Sequence, residues 1–184
     1  ESQSAIPSSA ESCVKMYENG KLSDITIKTK DGKEIKAHNF ILSRSKVFDA
    51  MLNRHNTRES QNKIVVVEDT DHDVLFEMIR YLYVDEVPKM KEIALKLLIV
   101  ANKYDIPGLE TECVEHLINN VATETFAEIL IVADRLNIQC LKDAAINYVI
   151  NNRQIVFASA VWKNLKINHM LLAMEVMESF HLNN

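Results

Sequence analysis

The chain has 184 residues and a mass of 21.0 kDa, with 47% hydrophobic and 26% charged residues. This composition is ordinary for a globular protein and excludes disorder over most of the chain. The net charge of −5 and the lack of any Lys/Arg-rich block argue against a phosphate-binding surface, so we expect no nucleic-acid partner. The apolar runs are shorter than a bilayer span, so we expect no membrane partner.

The start of the chain differs in composition from the rest. Residues 1–12 hold five Ser and one Pro and little that could pack in a core, which predicts a linker. The first residue is Glu1 rather than Met, so we expect another domain to precede this segment. The three cysteines, Cys13, Cys113 and Cys140, are widely spaced and predict reduced thiols in an intracellular protein.

The next segment predicts three strands and two short helices. Alternation after Asp24 predicts a half-buried strand. Asp31-Gly32 predicts a two-residue type I′ hairpin turn, with a returning strand at 33–37. A helix or a pair of short helices is predicted at 40–52. The unbroken β-branched run at 64–67 predicts a strand covered on both faces.

The remainder predicts helices. Apolar residues at three- and four-residue spacing predict a helix from about residue 74, capped by Thr70 or Asp71. Thr125 with Glu128 predicts a capping box at a later helix start. Short links favour antiparallel hairpins in the second half. The further predicted helices span 91–104, 109–119, 124–136, 140–150, 156–165 and 169–180.

No pattern indicates catalysis. The three glycines are isolated, so there is no phosphate-binding loop, and the GxSxG motif is absent. Asp69-x-Asp71-x-Asp73 matches the first ligands of a calcium loop, but Val74 and Arg80 replace its essential Gly and Glu. Acids at a helix start are better explained by the helix dipole. We therefore expect neither an enzyme nor a cofactor or metal site.

Three stretches resemble the signature of the BTB/POZ family: residues 22–25, 37–52 and 79–83. Residues 101–104 resemble a further BTB segment, and residues 127–134 resemble the first helical hairpin of the BACK region. The match is nearest to the MATH-BTB group, the group of the speckle-type POZ protein. It implies a mixed fold, in which a small, mainly three-stranded sheet flanked by helices is followed by an all-α region. The implied bounds are 13–120 for the BTB/POZ domain and 121–184 for the BACK-type region.

The resemblance also implies a homodimer. Family members pair through the segment before the first strand and through the first helix after the His motif, so the interface is expected at five residues: Cys13, Met16, Tyr17, Leu22 and Ile41. Apart from the family, Met16 and Tyr17 lie in a segment too short to form a core, which predicts exposed apolar groups that need a partner. Asp24 and His38 are expected to form a buried, structural polar pair near that interface.

The family further implies docking to the amino-terminal domain of cullin-3. The residues expected at that contact are Met51, Leu52, Thr57, Glu59 and Tyr104. The family motif here is a hydrophobic residue, any residue, then Glu, and this chain has Thr57-Arg58-Glu59. Glu59 is thus kept, but the hydrophobic anchor is replaced by Thr57.

Two functional hypotheses remain open. In the first, the chain is the homodimeric substrate-adaptor core of a cullin-3 RING E3 ubiquitin ligase in the nucleus or cytoplasm, with a MATH domain outside this chain recruiting the substrate. In the second, it is a BTB dimerisation or scaffold module with little or no cullin binding. Thr57 favours the second hypothesis, whereas the helical extension favours the first.

Overall fold

The computed structural model describes residues 9–54 and 57–182, and the chain divides into two compact units. These units are Glu1–Thr111 and Glu112–Asn184, and the division falls inside a helix that runs from Pro107 to Asn119. The described part of the first unit holds a small sheet with flanking helices, and that of the second is helical. The predicted fold class is therefore confirmed.

The described part of the first unit begins with a helix. Residues 9–12, predicted to belong to the linker, lie in this helix, and residues 1–8 are outside the described part. In chain order the elements are α1 (Ser9–Glu18), β1 (Ile25–Thr29), β2 (Glu34–Ala37), α2 (Asn39–Leu42), α3 (Lys46–Asn53), α4 (Arg58–Asn62), β3 (Ile64–Val67), α5 (His72–Val84), α6 (Met90–Lys103) and α7 (Pro107–Asn119).

The sheet has the order β2-β1-β3. Strands β1 and β2 are antiparallel, with Ile27 opposite Ile35, and β3 runs parallel to β1, with Val65 beside Ile27. These three side chains are at most 2% exposed and form the inner face. The prediction that β3 is covered on both faces is wrong, because Val66 on its outer side is 60% exposed. In an edge strand with one solvated face, buried and exposed side chains alternate even when all the residues are apolar.

The turn between β1 and β2 also differs from the prediction. A type I′ turn needs positive φ at both central residues. Among the described residues of this turn, only Gly32 has it, with φ +75°. The amide of Gly32 donates to the carbonyl of Thr29 at 2.9 Å, so a type I turn is followed by a left-handed glycine. The hairpin is therefore confirmed, but its connection is longer than two residues.

This turn caps helix α5 from a distance. Asp31 Oδ1 accepts hydrogen bonds from Thr29 Oγ1 at 2.6 Å and from the backbone N–H of His72, the first residue of α5, at 3.1 Å. Asp71 occupies the cap position itself but makes no side-chain cap bond. The predicted cap position at Asp71 is therefore confirmed, but the carboxylate that bonds the helix start comes from a loop that is distant in sequence.

Helix α5 is the centre of the first unit. Eight of its residues are buried, and α1, α2, α6 and β2 contact it. A helix that is apolar on almost every side is stable only when other elements cover it. The buried residues are Val74, Leu75, Glu77, Met78, Ile79, Tyr81, Leu82 and Tyr83.

The second unit consists, in its described part, of helices joined by short links. After the end of α7 these are α8 (Phe126–Leu136), α9 (Gln139–Asn151), α10 (Arg153–Ala158), α11 (Ala160–Asn168) and α12 (Met170–Leu182). Lys142 on α9 connects three of them, since its ammonium lies 2.8 Å from Asp134 on α8 and 2.7 Å from Glu175 on α12. Trp162 is buried and stacks on Phe157.

Two local predictions for this unit are wrong. The capping box does not form, because the hydroxyl of Thr125 bonds back to the N–H of Ala122 at 3.1 Å and α8 has no side-chain cap. The single helix predicted at 156–165 is broken at Ser159, which accepts from the N–H of Trp162 and starts α11. Hydroxyl side chains can form hydrogen bonds to nearby backbone groups in place of the helical backbone bonds, which favours helix ends at Ser and Thr.

The Asp31 carboxylate that caps α5 makes the stability of the fold depend on pH. The hydrogen bond from Thr29 is the main cause that holds the pKa of Asp31 well below its usual value, and Lys33 and the amide of His72 add to it. A lowered folded-state pKa gives stability that is present above the ordinary carboxyl pKa and lost as pH falls. We expect Asp31→Asn to flatten the decline of the urea midpoint between about pH 5 and pH 2.

The matched control is Asp71→Asn, which removes a carboxylate at the same helix end that makes no cap bond. We expect this variant to keep the acid sensitivity of the parent chain. Equal slopes for the parent and Asp31→Asn would show that the cap contributes nothing.

Candidate interaction surfaces

His38 joins three parts of the first unit. Its Nδ1 lies 2.6 Å from the hydroxyl of Tyr83 on α5, and its Nε2 lies 2.9 Å from the carbonyl oxygen of Lys21. Because a carbonyl only accepts, Nε2 carries the proton, and Nδ1 then accepts from the Tyr83 hydroxyl. Burial raises the pKa of Tyr83 to about 12, so this hydroxyl stays protonated and able to donate.

A second bond ties the same turn to the start of α2. Asp24 Oδ1 accepts from the backbone N–H of Asn39 at 2.8 Å. In the described part of the chain Asp24 makes no hydrogen bond to His38, and Asp24 is exposed. The expectation of a buried Asp24–His38 pair is therefore wrong. The two residues instead make parallel links between the turn at 20–24 and helix α2.

Three apolar residues lie beside these links in the sequence, and we call them together the turn surface: Leu22, Phe40 and Ile41. Leu22 is 83% exposed and Phe40 is 86% exposed. Leu22 follows Lys21 and Phe40 follows Asn39, so the two positions are joined through the backbone by these links. Ile41 is half-buried. Phe40 was not predicted as an interface residue, although a Phe before the apolar positions of α2 is a signal that could have been used.

Helix α1 borders α5, with its predicted residues in different environments. Cys13 and Met16 are half-buried. Tyr17 is only 2% exposed, because it stacks on Phe76 and Tyr83 and donates its hydroxyl to the carbonyl of Phe76 at 3.0 Å. The prediction that Tyr17 is an exposed group needing a partner is wrong, since α5 of the same chain covers it.

Three of the residues predicted for cullin contact lie near the start of α4. Thr57 caps this helix: its hydroxyl accepts from the N–H of Ser60 at 3.0 Å and donates to the carbonyl of Met51 at 2.7 Å. Met51 and Glu59 are half-buried. Within the described residues, the Glu59 carboxylate has no ion pair or side-chain hydrogen bond. We call Met51, Thr57 and Glu59 the α4 surface.

The other two predicted cullin residues belong to the interior. Leu52 is 2% exposed and Tyr104 is 1% exposed, with the Tyr104 ring stacked on Phe48 at 4.6 Å between centroids. The buried hydroxyl of Ser45 donates to the carbonyl of Tyr104 at 2.5 Å and caps α3 by accepting from the N–H of Phe48. The expectation that Leu52 and Tyr104 offer their side chains to a partner is therefore wrong.

The acidic run before α5 is used within the chain. Asp69 is ion-paired with Lys103 at 2.7 Å, and this bond is the main cause of the lowered pKa of Asp69. Asp73 lies in the first turn of α5, where carboxylates are favoured. Among residues 9–54 and 57–182, no three His, Cys, Asp or Glu side chains are grouped closely enough to hold a metal ion.

No helix in the described part of the chain is long and apolar enough to cross a membrane.

The model of the BTB/POZ domain family matches residues 13–121, well over half of the chain. The match begins within α1 and includes the whole sheet, α5 and α6. The chain belongs to the BTB/POZ domain family. Domains of this family are protein-interaction modules that commonly dimerise and are generally non-catalytic.

The chain is also similar in sequence to a curated protein. The chain is 38% identical over 96 residues to protein maternal effect lethal 26 of Caenorhabditis elegans. The aligned region is 51% of this chain but 24% of the relative, so the chain spans about a quarter of that protein's length.

The capping role of Thr57 can be tested directly. We expect Thr57→Val, which keeps the shape but removes both hydrogen bonds, to lower the free energy of unfolding by about 1 kcal/mol. Thr57→Ser keeps the hydroxyl and should retain most of the stability. Urea unfolding followed by circular dichroism measures both variants, and a Val variant as stable as the Ser variant would contradict the cap.

Proposed function

We propose that this chain is the homodimeric core of a substrate adaptor for a cullin-3 RING E3 ubiquitin ligase. It binds proteins and performs no bond chemistry itself. The observation that carries the proposal is the turn surface, where Leu22 and Phe40 of a BTB/POZ domain are each more than 80% exposed. A second copy of the chain satisfies these groups.

The size and backbone of the turn surface support a dimer contact. Leu22 and Phe40 expose on the order of 300 Å² of largely apolar area, which is in the range that marks interaction sites. Leu22 also has a left-handed φ of +62°, which is unfavourable for a bulky residue. The bonds at Lys21 and Asp24 hold the turn in this form and keep Leu22 pointing outward. Such strain is typical of functional positions.

The α4 surface supports a cullin contact. Glu59 is a carboxylate without an ion pair in the described chain, and it matches the acidic position of the family motif. Met51, whose carbonyl is bonded to Thr57, is a half-buried apolar residue, and it takes the place of the missing anchor. The Thr57 hydroxyl holds the Met51 carbonyl at 2.7 Å, which fixes the two elements against each other.

The arrangement suits an adaptor. A dimer carries two substrate-binding arms, and two linked arms raise avidity through effective concentration. The substrate is recruited by a domain outside this chain, which we propose is a MATH domain. Residues 121–184 form the BACK-type region of the adaptor, after a BTB/POZ domain of residues 13–120. The protein acts in the nucleus or cytoplasm, where its three cysteines stay reduced.

A second candidate is a BTB dimerisation or scaffold module with little or no cullin binding. The observation in its favour is that Thr57 is a helix cap and that Leu52 and Tyr104 are buried. Of the five residues predicted at the cullin contact, Met51 is then the only one that is both apolar and not buried.

The dimer is tested by a charge in the turn surface. We expect Phe40→Asp to reduce the mass in light scattering from two copies to one copy of 21.0 kDa at micromolar concentration. An ionised carboxylate buried against a second copy would lack a partner, which is costly.

The matched control is Val66→Asp, which changes an apolar residue that is 60% exposed on the outer side of the sheet. We expect this variant to remain a dimer. A second variant, Leu22→Asn, suits the left-handed backbone while removing apolar contact, so it should weaken the dimer without harming the fold. A parent chain that is a folded monomer at the same concentration would overturn the proposal.

The cullin contact is tested by reversing one charge. We expect Glu59→Lys to weaken binding to the isolated amino-terminal domain of cullin-3 by about tenfold or more in calorimetry. Gln61→Lys is the control, because it places a lysine two residues further along α4, where the helix faces another direction, although it changes the net charge by one unit rather than two. A folded dimer that does not bind the cullin domain would favour the scaffold alternative.

A further inference from the structure

Glu77 is a buried carboxyl in the middle of helix α5. Its side chain is only 5% exposed. Glutamate is almost never buried unless it is paired, because transfer of a carboxylate from water costs several kcal/mol. Neither of the surfaces described above uses this residue.

The partners of Glu77 are few. Lys89 Nζ lies 4.0 Å from Glu77 Oε1, at the outer limit of an ion pair, and half of the Lys89 side chain faces solvent. Glu77 Oε2 is buried and has no hydrogen-bond partner in the described part of the chain. Lys89 and Arg80 compensate an ionised carboxylate here only in part for its lost hydration, whereas a protonated carboxyl needs much less compensation.

Charged and titratable groups from each neighbouring element face Glu77. They are Tyr17 on α1, Asp73 and Arg80 on α5, Lys89 after α5, and Glu92 on α6. Arg80 is committed to Glu18, with 3.0 Å between Nη1 and Oε1. Loss of hydration is the main cause that raises the pKa of Glu77, and Asp73 and Glu92 add to it, while Lys89 and Arg80 oppose it.

Helix α1 is bonded to the part of α5 around Glu77. Tyr17 donates its hydroxyl to the carbonyl of Phe76, the residue before Glu77, and Glu18 pairs with Arg80 one turn later. Burial is the main cause of the raised pKa of Tyr17, and the negative charge of Glu77 contributes. Both contacts of α1 are made at residues within one turn of Glu77, so a charge at Glu77 lies close to the packing of α1 on α5.

We propose that Glu77 is a proton-operated switch, whose protonation tightens the packing of α1 on α5 and whose ionisation loosens it. The sign follows from linkage: a raised folded-state pKa gives stability that is present below the ordinary carboxyl pKa and lost as pH rises through the folded-state pKa. This is opposite to the effect of Asp31 and Asp69, whose pKa values are lowered.

The test compares the full chain with Glu77→Gln, an isosteric side chain that cannot ionise. Urea midpoints are measured from acid to neutral pH, and the difference between variant and parent isolates the contribution of Glu77. We expect the two midpoints to coincide in acid and the variant to become the more stable as pH rises. The control is Glu86→Gln, which changes an exposed carboxylate after α5 that is not among the charges acting on Glu77, so its difference from the parent should stay flat.

Two further measurements identify the site and the element that responds. Carbon-13 NMR of the Glu77 carboxyl in the parent chain should give a titration midpoint above that of an ordinary glutamate. Hydrogen exchange at neutral pH should be slower in α1 of Glu77→Gln than in α1 of the parent. An ordinary NMR midpoint, parallel stability profiles for Glu77→Gln and the parent, or unchanged exchange in α1 would each overturn the proposal.

Discussion

Helix α5 is buried on almost every side, and the first unit is arranged around that burial. Eight of its residues are shielded by elements that include α1, α2, α6 and β2. Full burial of one apolar side chain stabilises a fold by roughly 1.5–3 kcal/mol, so this helix dominates the core. A helix without a solvated face must also satisfy each of its polar groups by contact with another element. The polar groups of α5 therefore determine how the neighbouring elements attach to this helix.

The two ends of α5 show how such contacts position the surfaces. At the start, the carboxylate of Asp31 bonds the first amide, which joins the hairpin to the helix. At the end, the hydroxyl of Tyr83 bonds His38, which in turn holds the turn at Lys21. The backbone positions of Leu22 and Phe40 thus depend on hydrogen bonds that begin at Tyr83 on the buried helix α5. In the middle, Glu77 Oε2 and Arg80 Nε are both buried without a hydrogen-bond partner among the described residues, and the missing partner makes Glu77 sensitive to protonation.

Periodicity in the sequence predicts most of the helices and the three strands, because side-chain spacing is a local property. It fails where a distant residue decides the outcome. The cap from Asp31 depends on a contact across 41 positions, and the burial of Tyr17 depends on α5. Leu52 and Tyr104 match family positions yet lie inside the fold, since a motif indicates which residues recur and not which way they point. Likewise, the outer face of β3 could not be read from four consecutive β-branched residues.

Residue 57 cannot serve two purposes at once. A hydrophobic anchor there would leave the N–H of Ser60 and the carbonyl of Met51 without the partners that the Thr57 hydroxyl provides. Five-residue helices such as α4 depend strongly on their caps, because they have few internal hydrogen bonds. Thr57 therefore secures the position of Glu59 at the expense of apolar contact. Any affinity of this surface for a cullin domain must come from the Glu59 carboxylate and from the half-exposed side chain of Met51.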